Sequence, residues 1–266
     1  MAASLNLEVL CEEVVVLVKD AGAFIRQESK GFDISKIEFK GRSNDLVSYV
    51  DKETEKILVA GLRKILPDAG FIGEEGTSEK GVNGFQWVID PLDGTTNFLH
   101  GLPSFSISVA LIRGREIFIG VVYEINLNEC FYAWKNGGAF LNANKIKISS
   151  VNEMEKSLIA TGFPYSLRGK TDAYFDIIKH MVNHSHGLRR LGSAAVDLCY
   201  VACGRFEAYF EFNIHIWDIA AGILLVQEAG GKVTDYSGGD DFLDGKELLA
   251  AGAIHAEALE IIKKYW

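Results

Sequence analysis

The stretch from Trp87 to Phe98 reads WVIDPLDGTTNF, and it links the fold of this chain to its chemistry. Three apolar residues lead into Asp90, Pro91 follows, and Asp93 stands just before a Gly-Thr-Thr turn. A strand that ends on Asp90 places this carboxylate at the edge of a sheet, and the fixed backbone of Pro91 turns the chain there. We therefore expect the turn to bring Asp93 back to the pocket that Asp90 faces.

This turn is rich in oxygen ligands. Mg²⁺ prefers oxygen ligands in near-octahedral geometry, and the backbone carbonyl of Leu92 lies between the two carboxylates. Gly94 lets the backbone approach a ligand closely, exposed N–H groups at the start of a helix can bind phosphate oxygens, and the hydroxyl of Thr95 can orient water. An ordinary Asp-Gly turn with threonine caps explains the same residues without a ligand, so this segment alone leaves both interpretations open.

Two further acids stand at the ends of predicted elements. Glu74 follows a short strand at 71–73, and Asp218 follows His-Ile-Trp at the start of a predicted helix. A solvated acidic loop would explain the first, and an ordinary N-cap would explain the second. Four acids at element ends, together with a Gly-Thr-Thr turn, favour a two-metal phosphatase. The lack of a Gly-x-x-x-x-Gly-Lys-Ser/Thr sequence argues against a P-loop ATPase or kinase.

Hydrophobic periodicity outlines the elements around this stretch. Helical spacing predicts a first helix over 7–25 and a second from Asp51, a candidate N-cap, to Leu66. Apolar residues alternate with small ones over 104–111, and strands at 117–125 and 129–134 continue an antiparallel meander carried on the two helices. The second half is predicted to contain strands at 157–162, 206–212 and 232–236, and helices at 172–182, 193–203, 219–229 and 256–264. The class is α+β, with helices layered against sheets.

Composition excludes several classes of protein. The chain has 266 residues, of which 48% are hydrophobic and 24% charged, as in ordinary globular proteins. A net charge of −9 argues against nucleic acid as a partner, whereas bound metal ions would let an acidic protein handle anionic substrates. No apolar run approaches the roughly 18 residues of a membrane span, and the acidic N-terminus lacks signal-peptide features. We expect a cytoplasmic protein whose four cysteines are small buried hydrophobes.

Three motifs resemble the metal-binding motifs of the inositol monophosphatase family, namely GEEG at 73–76, WVIDPLDGTTNF at 87–98 and WDIAAG at 217–222. Segments 187–211 and 228–235 also resemble that family, so the similarity covers nearly the whole chain. It implies a single domain over 1–266, folded as a five-layer αβαβα sandwich of the sugar phosphatase type, with halves at about 1–148 and 149–266. Gly76, where many relatives carry Ser or Thr, and a compact loop before Phe85 are departures that bear on substrate choice.

The same resemblance implies hydrolysis of a phosphate monoester with Mg²⁺. Water activated by the metal and positioned by Glu74 and Thr95 would attack phosphorus, and a water near Asp93 would protonate the departing alkoxide. The implied metal ligands are Glu74, Asp90, the Leu92 carbonyl, Asp93 and Asp218. The implied substrate contacts are Gly94, Thr95, Thr96, Gly192, Ser193, Ala194, Glu211 and Asp218, and the implied mobile flap carries Lys40 and Asp51, the latter supporting Thr95.

Several alternatives stay open at this point. Inositol monophosphate is the first candidate substrate, and fructose-1,6-bisphosphate, a 3′-phosphonucleotide or NADP are candidates on the same scaffold. Glu211 can accept two hydrogen bonds from a sugar-like pair of hydroxyls, but an outward-facing strand position explains it equally well. A non-catalytic binding protein is disfavoured because every expected metal ligand is present. Lithium sensitivity and a homodimer are implied by the resemblance alone, and we interpret Arg189 and Arg190 as structural or subunit-interface residues and His100 and His215 as packing groups.

Overall fold

The computed structural model describes residues 5–31, 38–39, 46–47, 49–163, 169–244 and 246–266. Helix α1 (Leu7–Glu28) starts after Asn6, whose side chain accepts a hydrogen bond from the backbone N–H of Val9. It packs beside helix α2 (Tyr49–Ile65), and the predicted helix over 7–25 is confirmed. Two short strands, β1 (Glu38–Phe39) and β2 (Leu46–Val47), pair antiparallel. Across these ranges, the helices are all too short or too polar to cross a membrane.

The start of α2 differs from the sequence prediction. The helix begins at Tyr49, so Asp51 lies in its first turn and is not the N-cap. The helix dipole favours an aspartate in the first turn as well as at the cap, and the sequence pattern does not separate the two positions. Asp51 is fully buried, and its carboxylate accepts a hydrogen bond from the Thr95 hydroxyl at 3.0 Å. This carboxylate therefore serves a tertiary contact instead of capping its own helix.

The large sheet is built mainly from an antiparallel meander. Five strand pairs follow one another in chain order from β5 (Phe85–Asp93) to β10 (Asn144–Lys145), and β3 (Gly70–Gly73) joins the other side of β5 in parallel. This confirms the predicted meander carried on two helices, because α1 and α2 pack on one face of the sheet. The strands are β3 (Gly70–Gly73), β4 (Ser78–Glu79), β5 (Phe85–Asp93), β6 (Ser106–Arg113), β7 (Glu116–Glu124), β8 (Glu129–Trp134), β9 (Gly138–Leu141) and β10 (Asn144–Lys145).

Strand β6 is buried on both faces. Its alternation of apolar and small residues is the pattern of a sheet with one solvated face, yet only Arg113 at its end is exposed. The apolar residues face α1 and α2, and the small ones face the second helix layer of the sandwich. Small side chains such as Ser108 let these helices approach the sheet closely, and the Ser108 hydroxyl donates to the backbone carbonyl of Trp217 at 3.2 Å.

The smaller sheet has mixed strand directions. Its central strand, β13 (Ala208–Phe212), pairs in parallel with β11 (Leu158–Thr161) and antiparallel with β15 (Glu247–Ala251). Strand β15 was not predicted from the sequence. The residues of β15 read ELLAA, which suits a helix as well as a strand. In spatial order the strands are β12 (Gly187–Arg189), β11 (Leu158–Thr161), β13 (Ala208–Phe212), β15 (Glu247–Ala251) and β14 (Lys232–Thr234).

The helices and sheets alternate in five layers, which confirms the αβαβα sandwich. Helices α5 (Ala194–Ala202) and α6 (Ile216–Glu228) contact both sheets and fill the space between them. Helices α4 (Thr171–His184) and α7 (His255–Tyr265) cover the outer face of the smaller sheet. Each space between layers holds a hydrophobic core, and the central core contains residues of both sheets. The remaining helix, α3 (Thr95–Leu99), is a single short turn after β5.

Candidate active site

A bulge in strand β5 brings Asp90 and Asp93 to the same face of the sheet. Asp90 pairs with Ser108 and Asp93 pairs with Ser106, so two residues of β5 oppose one residue of β6. In a regular strand, residues three apart point to opposite faces, and one extra residue in a bulge corrects this. The strand thus continues through Asp93, whereas the sequence analysis ended it at Asp90 with a turn at Pro91.

Asp218 approaches the same face from the central helix layer. It is the third residue of α6, where its carboxylate accepts a hydrogen bond from the backbone N–H of His215 at 2.8 Å. The alternative of an ordinary N-cap is therefore wrong, because His215 holds that position. The His215 ring stacks on Trp217 with 4.7 Å between ring centroids, in agreement with its interpretation as a packing group.

The three aspartates form a compact acid cluster. Oxygen atoms of Asp90, Asp93 and Asp218, one from each residue, lie within 4.8 Å of one another. Glu74, on the turn after β3, lines the same cavity of about 220 Å³. An all-oxygen donor set of this kind suits a hard divalent cation such as Mg²⁺, so the residues present fit a metal ion.

The electrostatics of the cluster point to the same conclusion. Burial, and then the charges of Glu74, Asp93 and Asp218, raise the pKa of Asp90 well above its usual range. Burial and the neighbouring carboxylates likewise raise the pKa of Asp218. Burial raises the pKa of Asp93 to about 6, although hydrogen bonds from Ser193 and Ala195 lower it. Because adjacent buried carboxylates repel one another, a bound cation would remove a cost that the folded chain otherwise carries.

Gly94 and Thr95 follow the cluster directly. Gly94 has φ +95°, and a Cβ atom there would lie 2.9 Å from the backbone oxygen of Ser104, so only glycine fits. The Thr95 hydroxyl lies 3.0 Å from both the Asp51 carboxylate and the Leu92 carbonyl. The carbonyl predicted as a metal ligand therefore also faces Thr95. Gly94, Thr95 and Thr96 line the cavity, in the part of the chain predicted to bind phosphate.

A second cavity of about 110 Å³ adjoins the first and contains the residues predicted for the alcohol side of the substrate. The Ser193 hydroxyl and the Ala195 N–H both donate to Asp93 at 2.7 Å, so the 192–195 segment is tied to the acid cluster. Burial raises the pKa of Glu211 to about 7, although Tyr209 donates a hydrogen bond to it. Its side chain points into this cavity with Gly192 and Ala194, and not outward.

Two residues near the site, Asp197 and Glu55, are not among the predicted site residues. Arg190, for which a structural or interface role is expected, lines both cavities. Asp197 is buried, and within the described residues its Oδ1 atom has no hydrogen-bond partner. Glu55 accepts hydrogen bonds from the loop that carries Glu74. The spacing Ser193–Asp197 on one helix face is the signal that reveals Asp197, whereas the contacts of Glu55 and Arg190 are purely tertiary. Lys40, predicted for the flap, lies outside the described residues.

An αβαβα sandwich whose layers meet at a cluster of carboxylates is the arrangement expected of a metal-dependent phosphatase. The chain belongs to the inositol monophosphatase family, because the model of that family matches residues 6–266. Both the resemblance expected from the three motifs and the fold it implied are thereby confirmed.

Individual relatives carry names that differ in function. The chain is 40% identical over 266 residues to an inositol-1-monophosphatase of Rhizobium meliloti, covering 99% of this chain and 98% of the relative. It is 42% identical to a putative Nus factor SuhB of Neisseria meningitidis serogroup B, covering 92% of this chain and 94% of the relative. It is 38% identical to a fructose-1,6-bisphosphatase/inositol-1-monophosphatase of Thermotoga maritima, covering 87% and 88% of the two chains. The crystal structure of the extragenic suppressor protein suhB from Bartonella henselae superposes with a TM-score of 0.90 at 37% identity, covering 95% of this chain and 98% of that one.

Proposed function

We propose that this chain hydrolyses a small phosphate monoester with Mg²⁺, and that myo-inositol monophosphate is its substrate. The observation that carries the proposal is the acid cluster, in which oxygen atoms of Asp90, Asp93 and Asp218 lie within 4.8 Å of one another. Family membership supports the same activity, since the family consists of metal-dependent phosphatases. The single domain with halves at about 1–148 and 149–266 belongs to this proposal, and the shared central core supports it.

The proposed metal ligands are the carboxylates of Glu74, Asp90, Asp93 and Asp218 and the carbonyl of Leu92. Bound Mg²⁺ would neutralise the charge that develops on the phosphate and the leaving oxygen, and would make water a better nucleophile. The chain itself supplies the geometry, because β5, β3 and α6 each fix one side of the cluster. Groups fixed in this way by the backbone around the reacting atoms are what electrostatic catalysis requires.

Around the attacking water, the proposed catalytic residues are Glu74, Thr95 and Asp93. The Asp51 carboxylate accepts a hydrogen bond from the Thr95 hydroxyl at 3.0 Å, and this contact orients the hydroxyl. Glu74 and Thr95 would position the attacking water, and a water near Asp93 would give a proton to the leaving oxygen. The backbone N–H groups of Gly94, Thr95 and Thr96 are proposed to bind phosphate oxygens, as N–H groups at a helix start commonly do.

The second cavity is proposed to bind the alcohol part of the substrate. Gly192, Ser193 and Ala194 form one wall, and Glu211 forms another. With a pKa of about 7, raised by burial, the Glu211 carboxyl can accept a hydrogen bond from a hydroxyl or donate one at neutral pH. A polyol with adjacent hydroxyls, such as inositol, suits a cavity in which Glu211 can both accept and donate hydrogen bonds.

Two other functions compete with this proposal. A phosphatase of fructose-1,6-bisphosphate, a 3′-phosphonucleotide or NADP would share the acid cluster and differ only in the second cavity. A non-catalytic binding role is the other, because some relatives are named Nus factors. The complete set of proposed ligands in one cavity favours catalysis, since a binding protein has no need to keep four carboxylates together at the energetic cost of their repulsion.

The remaining parts of the proposal concern the protein as a whole. We place it in the cytoplasm as a homodimer that Li⁺ inhibits. A dimer is supported by apolar surface near the second cavity, where Phe163 and Phe175 stack on each other while both stay about half exposed. Contiguous exposed apolar groups of this kind commonly mark a protein interface.

Phosphate release from a panel of esters tests the proposed function. The panel contains inositol 1-phosphate, fructose-1,6-bisphosphate, 3′-phosphoadenosine 5′-phosphate and NADP, each with Mg²⁺ and with EDTA, and Asp93→Asn serves as the inactive control. We expect Mg²⁺-dependent release with inositol 1-phosphate preferred. Preference for another ester would keep the mechanism and change the substrate. No release from any ester by folded protein in excess Mg²⁺ would contradict the enzymatic proposal and favour the binding role.

A further inference from the structure

Glu55 is a buried carboxylate that serves the loop following strand β3. It lies on α2 with only 4% of its surface exposed. Its Oε2 atom accepts the N–H of Glu75 at 2.9 Å, and its Oε1 atom accepts both the N–H and the hydroxyl of Thr77, at 3.2 and 2.6 Å. All three donors belong to Glu75 and Thr77, which lie one and three residues after Glu74. A side chain from a different element therefore fixes the backbone on one side of Glu74.

The other side of Glu74 is fixed as well. The backbone N–H of Glu74 donates to the carbonyl of Ile89 at 3.1 Å, and that of Gly73 donates to the carbonyl of Thr77 at 2.7 Å. A Cβ atom on Gly73 would lie 2.4 Å from Oε2 of Glu55, so this carboxylate packs directly against the loop backbone. Glu74 is thus held between strand β5 and the Glu55 carboxylate.

We propose that Glu55 is a positioning residue that holds Glu74 beside the acid cluster for the binding of Mg²⁺, an inference that rests on the proposed function. Glu55 follows Asp51 by four residues, and positions four apart lie on the same face of a helix. One face of α2 therefore braces both Glu74, through the loop, and Thr95, through Asp51. Hydrogen-bonded groups behind metal ligands typically change metal affinity by 10–100-fold when they are mutated.

The substitution Glu55→Gln separates this role from simple packing. Glutamine keeps the shape of the side chain, but its amide nitrogen donates and cannot accept, so at least one loop N–H loses its acceptor. The loop then samples more conformations, and part of the free energy of Mg²⁺ binding is used to order Glu74. Glu53→Gln is the matched control, because Glu53 lies on the same helix, is 49% exposed and pairs only with Lys56 in the described structure.

Titration calorimetry of the full chain with Mg²⁺ measures the effect directly. We expect the Kd of Glu55→Gln to rise by about tenfold and that of Glu53→Gln to stay unchanged. The Mg²⁺ concentration for half-maximal activity should rise by the same factor, while kcat at saturating Mg²⁺ stays within about twofold of the parent value, because bound metal restores the position of Glu74. Amide hydrogen exchange at Glu75 and Thr77 should accelerate in metal-free Glu55→Gln.

The outcomes separate this inference from the proposed function. A lower melting temperature with an unchanged Kd for Mg²⁺ would assign Glu55 a structural role only and overturn the inference, while the proposed function would stand. No Mg²⁺ binding by the parent chain would overturn both. If Glu55→Gln does not fold, Thr77→Val removes the 2.6 Å hydrogen bond and leaves Glu55 in place. A Kd raised about threefold is then expected, and an unchanged Kd would contradict the positioning role.

Discussion

Two buried aspartates in this molecule, Asp235 and Asp90, have opposite surroundings. Asp235, in the turn after β14, accepts backbone N–H groups from Ser237, Gly239 and Asp241 at 2.8, 2.8 and 3.2 Å. Asp90, at the bulge of β5, accepts one N–H, from Leu92 at 2.9 Å, and otherwise faces other carboxylates. A carboxylate surrounded by N–H donors stabilises the fold, whereas carboxylates that face one another destabilise it.

The groups that surround a buried carboxylate separate structural acids from functional ones. Sequence pattern does not distinguish them, because Asp235 and Asp90 each follow a run of residues that reads as a strand. Their partners do distinguish them. Backbone N–H groups of its own turn surround the Asp235 carboxylate, whereas other carboxylates surround Asp90, so the acid cluster needs a bound cation to balance its charge. A substitution in the first should affect folding and leave chemistry intact, and a substitution in the second should do the reverse.

The largest expected effect is the loss of turnover in Asp93→Asn. The substitution removes a negative charge from the acid cluster, and we expect kcat to fall by at least about a thousandfold. The amide oxygen of the asparagine can still accept from Ser193 and Ala195, so the metal-free protein should melt at the same temperature as the parent or higher. Steady-state kinetics and thermal unfolding in EDTA check both parts. Turnover near that of the parent would show that Asp93 does not take part in the chemistry.

Asp235→Ala should show the opposite pattern. Three backbone N–H groups lose their acceptor at a site with 9% exposure, and we expect the free energy of unfolding to fall by about 2–3 kcal/mol. The value of kcat should stay within about twofold, because no atom of this turn lines the cavity of the acid cluster. Urea denaturation and kinetics on the same preparation give the comparison. An unchanged unfolding midpoint would mean that the turn satisfies its N–H groups without Asp235.

A dependence of stability on pH should accompany the acid cluster. Burial raises the pKa of Asp93 from 3.8 to about 6, so the folded state binds this proton more tightly than the unfolded chain does. Between about pH 4 and 6 the folded state therefore carries more protons, and the stability of the metal-free protein falls as the pH rises through this window. Urea midpoints in EDTA from pH 4 to 7 should decline less steeply in Asp93→Asn than in the parent. Parallel curves for the two proteins would contradict the raised pKa.

The smallest change in activity is expected for Glu211→Ala. Glu211 is a partly exposed acid, and Tyr209 donates a hydrogen bond to it. We expect the order of preference among the panel of esters to change, while the Mg²⁺ concentration for half-maximal activity changes by less than about twofold. Values of kcat/KM for each ester measure the first quantity, and Mg²⁺ titrations measure the second. If the ranking of esters is unchanged, Glu211 does not contact the alcohol part of the substrate.

How much of the structure was predictable depends on how local the contacts are. The strands of the large sheet follow one another along the chain, so periodicity predicted β6, β7 and β8 close to their observed bounds. The strand β15 pairs with β13, more than 30 residues earlier, and nothing local in ELLAA separates a strand from a helix. The pattern Asp-x-x-Asp predicted that Asp90 and Asp93 share a pocket, but the bulge that brings them to one face arises from pairing with β6. Glu55 was not predicted because its partners, Glu75 and Thr77, lie 20 and 22 residues further along the chain.

The bulge in β5 also bears on which changes the chain can accumulate over evolution. Substitutions at Pro91 or Leu92 alter side chains and leave the count of two residues against one intact. Deletion of either residue restores a regular register, and Asp93 would then point away from Asp90. Insertion of one residue displaces Gly94 and Thr95 from the cavity in the same way. The length of this segment is therefore under stricter constraint than its composition, and related sequences should vary in residues here while keeping the interval between the two aspartates constant.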